Sequence, residues 1–255
     1  RVLDRCSSIG PLARLLQIQL VLIAIPSASA EQMRSVVESC QKAAVAFRTL
    51  PKVQDILDGT ARSTDLRSVE LDDLLGRDPV ALDWSSMAKM IHDSKVLITG
   101  GGGSIGSELC RQVARLGPKE IILVEQNEFN LYSIGLEVEE KFPSVCVTKL
   151  LGDVCDRAAI RFIFDRHKPE IIFHAAAYKH VPMLQGQIRE TVRNNTVGTM
   201  IVSEAAIENS ARTMVLISTD KAVNPASMMG VSKRLSEMVV QLNNLENRTA
   251  FITVR

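Results

Sequence analysis

Short apolar runs separated by amphipathic stretches organise the chain from Lys95 onward. The runs at 95–99, 121–125, 145–150, 171–175, 214–218 and 250–254 are largely apolar at consecutive rather than alternate positions. Strands of that kind are expected where helices cover both faces of a parallel sheet. The regular alternation of strand and helix predicts a doubly wound, Rossmann-like α/β domain.

The first 60 residues carry a weaker version of the pattern: helix, strand over 19–25, helix, short strand over 45–50, then Pro51 and a further short helix. Ser29 followed by Gln32 forms a capping box, and Met33, Val36, Val37 and Cys40 recur behind it at helical spacing. Residues 61–92, with Asp72, Asp73, Arg77, Asp78 and Pro79 around short apolar pairs, read as a linker with one or two short helices. The expected organisation is a partial, truncated α/β region at 1–60, a linker at 61–92 and the main domain at 93–255. The chain opens on Arg1 and closes on a strand-like run, so a fragment cut at both ends is expected. Its longest apolar run, 20–25, ends at Pro26, far below the roughly 18 residues of a membrane span. No secretory signal opens the chain, and any anchor is expected outside these residues.

Composition narrows the function classes. Hydrophobic residues at 46% and charged residues at 23% are globular values, which exclude disordered and fibrous chains. A net charge of +1, without a block of like charges, argues against a nucleic-acid partner. The five cysteines are scattered and never spaced C-x-x-C, so neither a disulfide framework nor a zinc site is indicated and a reducing cytoplasm fits.

The strand at 95–99 runs into Gly100, Gly101, Gly102, Gly103, Ser104, Ile105 and Gly106, and a helix opens near Ser104. Gly100 permits the tight turn, Gly103 lets backbone N–H groups approach a pyrophosphate, and Gly106 lets the helix pack closely. Strand before and helix after are the context a dinucleotide site requires. Glu125 closes the next strand 19 positions after Gly106, where a carboxylate accepts hydrogen bonds from ribose hydroxyls. That favours NAD over NADP, although a solvated strand-end acid would look the same. Asp153 and Val154 after the third strand are candidates to meet the adenine. Ala175 and Ala176 after the fourth would let the cofactor pass closely.

Thr219, Asp220 and Lys221 stand at the carboxyl end of the fifth strand, where open α/β sheets place ligands. Met229 and Lys233 follow on one helical face. Together, residues 99–106, 174–182, 195–199 and 218–233 resemble the extended short-chain dehydrogenase/reductases, and most of all the nucleotide-sugar 4,6-dehydratases of polysaccharide biosynthesis. Residues 1–92 resemble the region before the catalytic domain in the long, membrane-anchored members.

The resemblance implies NAD-dependent dehydration of a UDP-N-acetylhexosamine, UDP-N-acetylglucosamine foremost, to a 4-keto-6-deoxy sugar. Carried over by position, Asp220 is the acid toward the leaving hydroxyl, Lys221 the base at carbon 5, and Thr219 a hydrogen-bond partner of the sugar. Lys233 holds the nicotinamide ribose. Met229 occupies the place of the superfamily's proton-accepting Tyr, as in the long members; a thioether cannot ionise, so Asp220 becomes the candidate acceptor. Tyr178, Lys179, His180 and Asn195 are candidates for the substrate side, with a buried Asn195 bonded to backbone as the alternative, since it stands three residues after Val192 on the apolar face of a long helix. His174 reads as a structural histidine, not a metal ligand. A homo-oligomer is expected, facing the cytoplasm and tied to the inner membrane through segments outside this chain. A nucleotide-sugar epimerase and a non-catalytic NAD-binding sensor are the competing readings.

Overall fold

The computed structural model describes residues 6–25, 28–50, 66, 68–69, 83–246 and 249–255. The short helix expected after Pro51 and the linker positions Asp72 to Pro79 lie outside the described residues. The chain divides into two compact units, the second beginning at Asp83.

In the first unit a 3-10 turn leads into α1 (Ile9–Leu15), then β1 (Leu20–Ile23), α2 (Ala30–Lys42) and β2 (Ala46–Thr49). The strands pair in parallel, Leu20 opposite Ala46. α2 starts on the expected capping box: Gln32 N–H donates to Ser29 Oγ (3.2 Å) and Ser29 N–H to Gln32 Oε1 (2.9 Å). Its Met33, Val36, Val37 and Cys40 form a small core with Ile23. Both strands are shorter than the apolar runs that signalled them.

The second unit opens with α3 (Trp84–Ile91), capped by Asp83. Hydroxyl and amide donors from Ser86 and Ser85 hold the Asp83 carboxyl down at about 2, so the cap is a full anion at the positive end of the helix. There follow β3 (Lys95–Thr99), α4 (Ser104–Arg115), β4 (Glu120–Glu125), α5 (Glu128–Lys141), β5 (Cys146–Leu151) and α6 (Arg157–His167). Next come β6 (Ile171–His174), α7 (Val181–Gln185), α8 (Ile188–Val192), a π-helical turn (Arg193–Val197) and α9 (Gly198–Glu208). β7 (Thr213–Ile217), a 3-10 turn (Asp220–Ala222), α10 (Met228–Glu246) and β8 (Ala250–Val254) complete it.

The six strands order as β5-β4-β3-β6-β7-β8, and every pair is parallel. Leu97, Ile122, Ile172 and Met214 point to one face and pack with Ile160, Phe164, Val202 and Val240. Val96, Ile98, Ile121 and Leu123 point to the other and pack with Cys110, Val113, Ile134 and Val138. Two cores on one sheet explain why the strand sequences are apolar at consecutive positions; each such buried Leu or Ile contributes about 1.5–3 kcal/mol. The strand order reverses between β3 and β6, which opens a crevice at the carboxyl edge.

Candidate active site

The glycine loop lies at that reversal. Gly100 has φ +68°, and its N–H donates to the Val124 carbonyl (2.8 Å). A Cβ there would come within 2.7 Å of the Ala176 backbone, and one on Gly106 would run into the Gly100 carbonyl. Only glycine lets α4 start this close to the turn. Gly103 is the N-cap of α4, and the first-turn amides of any helix have no intrahelical acceptor. A cradle that side chains would fill, closed by a helix N-terminus, fits the diphosphate of a dinucleotide.

A cleft of roughly 150 Å³ runs from Gly100 and Gly103 past Glu125, Gly152, Val154, Ala175 and Ala176. Glu125 holds the loop in place: Oε2 accepts from Gly102 N–H (3.1 Å) and Oε1 from Asn127 N–H (3.0 Å). Asp153, expected beside the adenine, does not line this cleft. Its carboxylate accepts from Cys155 N–H (2.9 Å) and pairs with Arg193 (2.9 Å), which leaves Val154 to supply the wall. Gln126, Asn130 and Asn194 also line the cleft and escaped the sequence reading. Of these, Asn194 carried a signal, standing beside Asn195.

A second cleft of about 480 Å³ adjoins it over Gly103, Ala175, Ala177 and Tyr178. It brings together Ser104, Ile105, Gly106, Tyr178, Lys179, His180, Thr219, Lys221, Met229 and Lys233. Lys233 is 4% exposed and donates to the Ile217 carbonyl (2.7 Å). Burial pulls its pKa down to about 8, against the opposing pull of Glu237. Met229 is buried in the cleft wall.

Asp220 departs from the expectation that it shares this cleft. Its side chain is 86% exposed and stands at the rim, accepting from Thr219 Oγ1 (2.8 Å) and facing Lys221 Nζ (3.4 Å). The Thr219 hydroxyl, then the Lys221 ammonium, hold the Asp220 carboxyl below its usual range.

Asn195 also differs from its expected place against substrate. It is fully buried, and its carboxamide is consumed within the protein. Oδ1 accepts from Tyr178 N–H (2.8 Å) and from Asn194 (3.0 Å), while Nδ2 donates to the Tyr178 carbonyl (3.1 Å) and Ser232 Oγ (2.9 Å). It therefore braces the loop that carries Tyr178, Lys179 and His180.

His174 anchors the same layer. Thr199 Oγ1 donates to the Asn195 carbonyl (2.6 Å), so it accepts from His174 Nε2–H (3.0 Å), and Nδ1 accepts from Thr99 Oγ1 (2.7 Å). Burial, then the nearby Lys233 cation, press the imidazole pKa down to about 3. His174 is a neutral structural link between β3, β6 and α9. Among the described residues no cluster of His, Cys, Asp or Glu could hold a metal ion.

A family model described as "Polysaccharide biosynthesis protein" matches residues 96–255. The chain belongs to this polysaccharide biosynthesis family. It is 41% identical over 249 residues to the "Probable polysaccharide biosynthesis protein EpsC" of Bacillus subtilis, covering 97% of this chain and 42% of that protein. Over 170 residues it is 31% identical to the UDP-N-acetylglucosamine 4,6-dehydratase (inverting) of Campylobacter jejuni, covering 65% of this chain and 49% of that one. Among solved structures, Pen from Bacillus thuringiensis superposes with a TM-score of 0.60 at 27% identity, covering 65% of this chain and 52% of Pen. The chain thus spans less than half the length of these two curated relatives. Among the described residues no helix is long and apolar enough to cross a membrane.

Proposed function

We propose that this member of the polysaccharide biosynthesis family binds an NAD-type dinucleotide along its glycine loop and dehydrates a UDP-N-acetylhexosamine, UDP-N-acetylglucosamine foremost, to a 4-keto-6-deoxy sugar. The observation that carries the reading is the cleft in which Thr219, Lys221, Met229 and Lys233 face the N-terminus of α4. The first turn of α4 holds the diphosphate, Glu125 the adenosine ribose and Lys233 the nicotinamide ribose. The chemistry such a dinucleotide supplies when bound is reversible hydride storage.

The chain's own groups handle the protons. Met229 has no ionisable group, so the proton of the carbon 4 hydroxyl goes to the Asp220 carboxylate, which Thr219 and Lys221 keep ionised. Asp220, now protonated, returns that proton to the carbon 6 hydroxyl as it leaves as water. Lys221 removes the proton at carbon 5 as water leaves and gives it back there once carbon 6 is reduced, so both side chains end as they began. Thr219 orients the reacting hydroxyl. The whole protein is read as a homo-oligomer anchored in the inner membrane through segments outside this chain, with this part in the cytoplasm; that reading rests on the family resemblance.

The exposure of Asp220 favours a second reading, a nucleotide-sugar epimerase, which needs no acid at carbon 6. Incubating the full-length protein with NAD and UDP-N-acetylglucosamine separates the two by mass spectrometry. Dehydration yields a product lighter by one water, epimerisation a product of unchanged mass with altered sugar. Recovery of unaltered substrate refutes both and leaves a non-catalytic NAD-binding protein.

A further inference from the structure

Glu237 lies outside the machinery assigned so far, yet it is fully buried. Its Oε1 accepts from Ser218 Oγ (2.6 Å) and Arg255 Nε (2.9 Å), and its Oε2 from Arg255 Nη2 (2.7 Å) and Arg234 Nη1 (3.1 Å). A buried carboxylate is tolerated only when its oxygens are satisfied in this way. Arg255 first, with Ser218 and Arg234, holds its pKa at about 2.

One turn earlier on the same face of α10, Lys233 donates to the Ile217 carbonyl. Two side chains of one helix therefore grip successive residues, Ile217 and Ser218, where β7 ends. Ser218 N–H to the Val254 carbonyl (2.7 Å) continues the β7–β8 pairing just past that end. Beyond it the chain enters the turn that holds Lys221, with Lys221 N–H on Thr219 Oγ1 (3.3 Å), Ala222 N–H on the Thr219 carbonyl (3.2 Å) and Val223 N–H on the Asp220 carbonyl (3.0 Å).

We propose that Glu237 is a positioning residue, which through Ser218 fixes the angle at which the turn bearing Thr219 and Lys221 enters the cleft. The proposal rests on the dehydratase reading for its consequence in turnover, but not for the clamp itself.

The test uses the full-length protein carrying Ser218→Ala, Ser218→Thr or Glu237→Gln, followed by hydrogen exchange and by turnover. The amides of Lys221, Ala222 and Val223 are expected to exchange about fivefold faster in Ser218→Ala and Glu237→Gln, as for loss of one intramolecular hydrogen bond. Ser218→Thr restores protection, and amides of β3 and β4 keep their wild-type rates. In water loss from UDP-N-acetylglucosamine, kcat falls about tenfold in both variants while KM and NAD affinity stay within about twofold. If Glu237→Gln does not fold, Ser218→Ala carries the test, because it leaves both arginines paired. Wild-type exchange at the turn in Ser218→Ala overturns the proposal whether or not any sugar is dehydrated. Faster exchange with unchanged kcat also overturns it. A wild-type protein that releases no water sinks the dehydratase reading, and exchange alone then decides the clamp.

Discussion

Replacing His174 with Gln gives a test of the hydrogen-bond layer beneath the cleft that needs neither cofactor nor substrate. The imidazole is neutral in the folded protein, its pKa pressed from 6.5 to about 3. Above 6.5 both folded and unfolded chains carry it uncharged, so it adds no pH dependence. As the pH falls below 6.5 the unfolded chain takes up a proton that the folded one refuses, and stability is lost progressively until about pH 3. At about 1.4 kcal/mol per unit of pKa, His174 alone removes about 2 kcal/mol between pH 8 and pH 5. The Glu237 carboxyl, held at about 2, exerts its own effect mainly below the ordinary carboxylate range and cancels between wild type and variant. Gln keeps one acceptor and one donor for Thr99 and Thr199, so at pH 8 the variant is expected to be about 1–3 kcal/mol less stable. That gap should narrow by about 2 kcal/mol at pH 5. Urea unfolding followed by the fluorescence of Trp84, the sole tryptophan, reports on this unit. A gap of constant size from pH 8 to pH 5 would refute the neutral, doubly bonded assignment.

Three further outcomes concern the clefts. Gly106→Ala pushes a methyl group into the Gly100 carbonyl; forcing the loop and α4 apart by about 1–3 kcal/mol should weaken NAD binding by about 5- to 150-fold in calorimetry, and undiminished affinity would show that the loop holds no diphosphate. Lys221→Met should cut water loss from UDP-N-acetylglucosamine by about 10²- to 10⁴-fold while NAD still binds, and near-normal turnover would remove Lys221 from the base role. Because the Lys233 pKa lies near 8, its positive charge disappears as the pH rises through that value. NAD affinity should fall across that range in the wild type and stay flat in Lys233→Met; parallel titrations would assign the dependence to another group.

What the sequence made legible follows from how burial constrains residues. The strands of the large sheet stood out because both faces are covered, so neither face needed polar side chains; β3 and β8 match their expected bounds and the others shift by one residue at one or both ends. The glycine loop was legible because backbone approach admits no Cβ at Gly100 or Gly106. Contacts between residues far apart in the chain left no local trace. Arg193 pairs with Asp153 across 40 positions, outside the cleft lining, and Arg255 reaches Glu237 only because β8 lies beside β7. Asn195 sits in a π-helical turn at Arg193–Val197, which shifts the face that ordinary helical spacing predicts there.

Asp220 and Lys221 show most directly why adjacency in sequence does not fix a shared direction. They open a 3-10 turn at Asp220–Ala222, and three residues per turn send successive side chains about 120° apart. Lys221 consequently faces the cleft while Asp220 stands at its rim, 86% exposed. Their 3.4 Å contact nevertheless keeps the Lys221 ammonium beside the rim carboxylate, with the lysine side chain itself 53% exposed. Elimination then requires the sugar to reach the rim, with its carbon 6 hydroxyl toward Asp220 and carbon 5 beside Lys221. Epimerisation needs no acid at carbon 6, but the carbon 4 hydroxyl must still lose its proton, to Asp220 or to another acceptor in the cleft. Asp220→Asn divides these cases: it removes water loss if the sugar spans both residues, and it leaves conversion at carbon 4 intact if the rim carboxylate never meets substrate.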